Sequence, residues 1–384
     1  MTNIVKSVVD KRHYRFRKLP NELWCMLVSD EEADKAAVSL SVNVGYVYDK
    51  PELMGLAHFL EHMLKLGTGK FPVENEYDKF VSAHAGRKNA ATGDLYTFYY
   101  FDCAPHALRH GMDIFSHFFI DPLFPENAAE REMNAVDSEY KKNLQMDARR
   151  LLQIQRTYVS HPDSPMSKFS TGCFETLNKP GVRDALIEFH DKYYSSNIMK
   201  LCVVGKEPLD TLEQWVEELF SPIENKNVVL PDLSQPWPFP REQMGRIFKI
   251  VPVRDLRELR INWALPYSQK EYKKKINAYL THVFGHEGPR SLLSYLIKRG
   301  LATALTCGSN HYLDCVDTVF VSISLTEEGE ANYWEVAEIV YGFVNQIREK
   351  SVEEYIFEEI RIMRELQFAN IQKQEPINYA STLS

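Results

Sequence analysis

Residues 229–245 carry Pro231, Pro236, Pro238 and Pro240 among polar residues. A helix or a central strand does not run through such a stretch, because each proline lacks an N–H and has its φ fixed. The chain is thereby divided into a first domain, 1–228, a proline-rich linker, 229–245, and a second domain, 246–384. In the first, residues 23–28, 37–44, 96–101 and 198–205 read as strands from their apolar runs or alternation. Residues 55–66 are helical in pattern. Residues 126–156 form a charge-rich helical stretch opened by Pro125 and an acidic first turn. In the second, 247–253 and 318–325 read as strands, and 333–348 and 353–372 as helices, with no closing element evident after them. Mixed elements without strict strand–helix–strand alternation predict an α+β fold. Both parts show strand, helix and strand again, which leaves a distant internal duplication open.

The formal net charge of −8 runs against the basic face that nucleic-acid binding needs, so no nucleic-acid partner is expected. No stretch approaches the roughly 18 consecutive apolar residues of a membrane span, and no secretory signal is visible at the N-terminus. Cys25, Cys103, Cys173, Cys202, Cys307 and Cys315 form no C-x-x-C pair. Their spacing is unlike that of a small disulfide-stapled domain and predicts reduced, mostly buried thiols in a cytoplasmic protein.

The sharpest chemical feature is His58-Phe59-Leu60-Glu61-His62. On a helix His58 and His62 lie one turn apart on one face, where two imidazoles can share a tetrahedral Zn²⁺. Glu61 lies near that face and can hold a water and take its proton. This is the H-x-x-E-H order of inverted zinc peptidase motifs. A helix that carries two histidines for other reasons has the same spacing. A zinc site needs a third protein ligand, and Glu132 and Glu139, seven residues apart, return to nearly the same face of their helix. Taken alone, that acidic run reads as a solvated face. His84, His106, His110 and His117 show no converging ligand set. Gly67-Thr68-Gly69-Lys70-Phe71 lacks the features of a phosphate loop, and no G-x-S-x-G elbow is present.

Residues 55–63 (GLAHFLEHM), Leu66-Gly67-Thr68, Glu74-Asn75-Glu76-Tyr77, residues 134–139 (NAVDSE) and residues 193–197 (YYSSN) resemble the insulysin branch of the pitrilysin-type zinc metallopeptidases. The resemblance runs from about Tyr14 to the end of the chain. It implies two homologous mixed α/β domains of the pitrilysin or mitochondrial-processing-peptidase type, the second inactive and truncated. Carried over by position, His58, His62 and Glu139 match the zinc ligands, one Zn²⁺ per chain. Glu61 matches the general base and Glu132 the second acidic residue of the distal helix. The implied activity is a metalloendopeptidase acting on short to medium peptides enclosed in a chamber. Asn89, Ala90 and Thr92 fall on the family's substrate-pairing edge strand. His286, Leu305 and Gly308 fall on its exosite for the substrate N-terminus.

The chain also departs from the family pattern. Gly93-Asp94-Leu95-Tyr96 stands where Ser-Gly-Glu-His is usual, Ala91 where a large aromatic is usual, and Arg290 where glycine is usual. Insulysins often have cysteine within the motif; here Leu60 gives a thiol reagent no target. Insulysins also have four homologous domains in two halves, and the second half lends an arginine and a tyrosine to the site. Neither is located in this sequence. The expectation is therefore zinc binding with weak cleavage by this chain alone, its partners being peptides and a second chain that supplies the other half. The alternative, from another class, is a non-catalytic half-molecule or fragment that docks on a related chain.

Overall fold

Six apolar segments of the first domain pair into one sheet. They are β1 (His13–Lys18), β2 (Trp24–Ser29), β3 (Ala36–Val42), β4 (Lys88–Thr92), β5 (Thr97–Cys103) and β6 (Met199–Gly205). Their order in space is β1-β2-β6-β3-β5-β4, so β1 and β4 are the edges. All neighbours are antiparallel except β2 and β6. The computed structural model describes residues 4–384. Within them the chain separates into two compact units, one made of residues up to 157, 165–232 and 372–384, the other of 158–164 and 233–371.

The helices of the first unit are α1 (Leu56–Met63), α2 (Glu76–Ala83), α3 (Leu108–Ser116), α4 (Glu126–Asn143), α5 (Asp147–Ile154), α6 (Phe174–Leu177), α7 (Val182–Tyr193) and α8 (Leu209–Phe220). The stretch expected to be continuous over 126–156 is two helices, because Met146 adopts an extended conformation between them. Phe59, Phe101, Phe115, Leu27, Leu40, Leu201 and Val203 share one core between the sheet and these helices. Burial of apolar area is the main favourable term there, roughly 25 cal/mol per Å² removed from water.

The four residues Leu201-Cys202-Val203-Val204 are buried on both sheet faces, which explains their unbroken apolar run. Leu201 and Val203 face the main core, while Cys202 and Val204 join a second cluster with Val28 and Ala37.

In the second unit the strands are β7 (Glu258–Pro266), β8 (Ala302–Tyr312) and β9 (Val316–Leu325), in the antiparallel order β7-β9-β8. Its helices are α9 (Ile276–Gly285), α10 (Leu292–Lys298), α11 (Glu327–Ala331), α12 (Tyr333–Lys350) and α13 (Glu354–Ala369). This repeats the plan of the first unit, in which β3, two helices and the hairpin β4–β5 give the order β3-β5-β4. Residues 247–253, expected as a strand, form none, and Ile247, Phe248, Ile250, Val251 and Val253 are exposed. The matching segment of the first unit, β2, is held in its sheet by β6. Among the described strands β6 has no counterpart in the second unit, and apolar pattern alone does not hold a strand without a ladder.

A closing element that the sequence reading missed is α14 (Pro376–Leu383). Residues 372–384, placed by that reading with the second domain, pack instead on the first unit's sheet. Ile377 and Ala380 cover Val28, Ala37, Cys202 and Val204. Tyr379 meets the Tyr14 hydroxyl at 2.8 Å and lies under the Arg12 guanidinium, 3.9 Å from its ring centre. The helix is short and apolar at few positions, so its pattern is weak in sequence. Burial pushes the Cys202 thiol up, which keeps it protonated and inert under this cover. The substitution Ala380→Asp is expected to detach α14 at a cost of about 3 kcal/mol. The check is maleimide mapping by mass spectrometry, with Cys202 protected in the wild type and labelled in the variant. Arg290, where glycine is usual in the resembling family, has φ +70, a left-handed conformation that favours glycine. Arg290→Gly is expected to raise unfolding stability by about 1 kcal/mol in a denaturant titration.

Candidate metal centre

The loop before α1 sets where that helix starts. Gly55 occupies a left-handed conformation at φ +94, and a Cβ there would stand 2.2 Å from the Gly172 Cα. The buried Asp49 carboxylate accepts from the Gly55 N–H at 2.7 Å and the Ala57 N–H at 2.8 Å. These are donors that a helix start leaves without intrahelical partners. Burial pushes the Asp49 carboxyl up to about 7, against the lowering effect of those N–H groups and of Lys168. Lys168 donates to the carbonyls of Val47 at 2.6 Å and Asp49 at 2.5 Å, which closes the loop.

From this start, His58 and His62 emerge one turn apart with ring centres 4.9 Å from each other. His58 Nδ1 donates to the Thr171 carbonyl at 2.7 Å. His62 Nδ1 lies 3.2 Å from Glu132 Oε2. Both contacts put the proton on Nδ1 and leave each Nε2 lone pair free, the arrangement typical of metal-binding histidines. Burial acts to raise the Glu132 carboxyl, but the His62 hydrogen bond and the charges of Lys65 and Arg131 bring it below its ordinary value. It is therefore anionic at neutral pH and fixes the His62 tautomer.

Glu139 supplies the third group. Its Oε2 lies 3.6 Å from His58 Nε2 and 3.9 Å from His62 Nε2. Three atoms bound to one tetrahedral ion at about 2.0–2.1 Å stand roughly 3.3–3.4 Å apart, so small side-chain shifts seat a zinc ion here. His58, His62 and Glu139 are the one such trio that converges among the described residues. The other histidines of the first unit pack differently. His84 and His106 stack edge to face, His110 packs on Phe71 and Phe80, and His117 bonds Asp121.

Glu61 sits on the same helix beside the trio. The Thr92 hydroxyl donates to its Oε2 at 2.6 Å. Thr92 ends β4, the sheet edge, so this strand is tied to the carboxylate. Asn89 reaches the Tyr100 hydroxyl at 3.2 Å, and Ala90 packs against the main core. Glu132 contacts His62 and lies behind the ligand rather than among the three. In the second unit His286 is exposed just beyond α9, whereas Leu305 is buried in that unit's core and Gly308 lies against the Phe320 ring. These three belong to the second unit. Sequence reasoning missed Asp49, Thr171 and the Thr92–Glu61 bond. Only Asp49, six residues before Gly55 at a helix start, left a signal that could have been read.

Residues 25–160 match the family described as Insulinase (Peptidase family M16), and residues 182–363 match the Peptidase M16 inactive domain. The chain is 41% identical to the insulin-degrading enzyme of Homo sapiens over 388 residues, which is 100% of this chain and 38% of that protein. It is 39% identical to the A-factor-processing enzyme of Saccharomyces cerevisiae, covering 100% of this chain and 38% of that protein. The crystal structure of pitrilysin superposes with a TM-score of 0.94 at 31% identity, covering 99% of this chain and 41% of that one. A Helicobacter pylori protease, at 20% identity and a TM-score of 0.73, shares the fold. The chain thus spans about two-fifths of the length of these curated relatives. With the pitrilysin-like α+β fold, both family matches and relatives of this similarity, the chain belongs to the insulysin branch of the M16 peptidases.

Proposed function

We propose that the chain is the zinc-binding, base-carrying part of a metalloendopeptidase that hydrolyses extended peptides. The observation that carries this reading is the convergence of two Nε2 atoms and a carboxylate beside a second carboxylate, Glu61, held at an open strand edge. When bound, zinc supplies Lewis acidity, polarising a carbonyl and lowering the pKa of a coordinated water toward about 7. His58, His62 and Glu139 would hold the ion, with Thr171 and Glu132 fixing the two imidazoles. Glu61 takes a proton from the attacking water and later gives it to the leaving amine, so the water oxygen ends on the acyl carbon. Thr92 occupies Oε2 of Glu61 and leaves Oε1 for that proton. The open edge of β4 binds substrate backbone as an added strand, which holds the scissile bond near Glu61.

The deciding experiment joins zinc analysis with a quenched-peptide assay, run on the chain alone and with a separately expressed C-terminal half. One zinc per chain and zinc-dependent cleavage are expected, weak for the chain alone. Glu61→Gln should keep the zinc and lose at least about 10²-fold in kcat. A zinc-loaded protein that cleaves nothing in either setting supports the docking half-molecule instead. His58→Ala should abolish zinc retention, and Glu132→Ala should weaken it by about 10- to 100-fold in a chelator competition. Thr92→Val should leave zinc unchanged and lower kcat by about tenfold, since it removes the one hydrogen bond that aims Glu61.

A further inference from the structure

Strand β4 pairs with β5 in a register that sets Asn89 opposite Tyr100, Ala91 opposite Phe98 and Thr92 opposite Thr97. Side chains alternate across a sheet, so Asn89, Ala91, Phe98 and Tyr100 share one face, and Thr92 meets Glu61 on the other. The bond from Asn89 to the Tyr100 hydroxyl fits this alternation. On the first face Tyr96, Phe98 and Tyr100 form a continuous run. Tyr96 and Phe98 have ring centres 5.8 Å apart at 41°, and Phe98 and Tyr100 are stacked 5.6 Å apart at 13°. The inner end is closed, because Tyr100 packs on the cluster that includes Ile377 and Ala380. The outer end is open, with Tyr96 50% exposed. Phe98 is half-buried, and in the row between it and the sheet edge stands only the methyl group of Ala91.

We propose that this aromatic run selects substrate, so that the preferred peptide carries a large aromatic side chain at the position that pairs with Ala91. The inference rests on the peptidase reading and on strand addition at β4. A strand added there lies about 4.8 Å beyond β4 and about 10 Å from β5, a gap that an aromatic side chain crosses and a methyl group does not. Its ring lies over Ala91 and meets the half-buried ring of Phe98 in the middle of the run, gaining aromatic contact as well as buried area. A large residue at position 91 would fill that space itself. Phe98 is thus a specificity residue on the face away from the chemistry, and its effect falls on the choice of peptide.

The test is a set of quenched peptides in which a single Phe or Ala is moved through the positions flanking the cleaved bond. The zinc-loaded protein is expected to favour Phe over Ala about tenfold in kcat/KM at one position. Ala91→Phe, which adds a side chain at an edge, and Phe98→Ala should each reduce that ratio to about twofold at that position alone, with zinc content unchanged. Unchanged ratios in both variants overturn the proposal. The same peptides, labelled and titrated onto zinc-loaded Glu61→Gln by fluorescence anisotropy, separate the two readings. A Phe preference in Kd that Ala91→Phe and Phe98→Ala abolish, when the zinc-loaded protein that retains Glu61 cleaves nothing, sinks the peptidase reading and keeps the platform. Binding with no Phe preference, or no binding at all, sinks the platform whatever the activity.

Discussion

The Asp49 carboxylate, buried and bonded to the Gly55 and Ala57 N–H groups, is the contact on which the geometry of the His58, His62 and Glu139 trio depends. It fixes where α1 begins, and the start of a helix fixes the phase of every side chain along it. A shift of one residue would turn His58 and His62 by about 100° and part them from Glu139 on α4. The glycine at the start has its own reason. Its left-handed backbone and the close approach of Gly172 leave no room for a Cβ. Two tight backbone features and one buried carboxyl therefore set the direction of two imidazoles. The cost of burying its charged form, seen in the raised Asp49 carboxyl, is partly offset by the helix-start N–H groups and by Lys168 nearby.

Much of this was legible in the chain. The strands at β2, β3, β5, β6 and β9 follow from apolar runs and alternation, and α1 from the spacing of its apolar residues. The placing of His58 and His62 on one face of α1 follows from helical geometry alone. The acidic member of the trio does not, because helical spacing says that Glu132 and Glu139 share a face but not which is nearer the histidines. The structure separates them. Glu139 faces both Nε2 atoms, while Glu132 sits behind His62 at Nδ1. Tertiary bonds such as His58–Thr171 and Thr92–Glu61 join residues 113 and 31 positions apart, and no local pattern encodes them. The failure at 247–253 is of the same kind, since a strand is a property of a pair and only half of it is written in the segment.

The second unit shows what the shared plan permits when its site is absent. Both units build a strand, two helices and a hairpin in the same order. At the first of those helices, α1 reads His58-Phe59-Leu60-Glu61-His62 and α9 reads Ala278-Tyr279-Leu280-Thr281-His282. An aromatic and a leucine stand between the first and last positions in both, and in α1 both are buried in the core. One imidazole and the carboxylate are replaced by a methyl and a hydroxyl, which neither bind zinc in that geometry nor act as a base. The fold tolerates the loss because the apolar side chains that pack the helix are not the residues that carry the chemistry. This agrees with the match of residues 182–363 to the inactive domain of the family.

The same separation operates inside the first unit across the thickness of one sheet. On one face Thr92 ties the end of β4 to Glu61, so a change there acts on the carboxylate beside the trio. On the other face Ala91 and Phe98 are partners in register, so a change there alters only the surface beside the edge. Strict alternation along a strand keeps the two roles from interfering, since adjacent residues point to opposite faces. A strand edge that binds backbone accepts many sequences, and selectivity must come from side chains on its faces. The aromatic run is anchored at its inner end under α14, and this explains why it holds its order out to an exposed Tyr96. The helix α14 thus bears on the order of the aromatic face as well as on the core, and the part it leaves open is the one beside the edge.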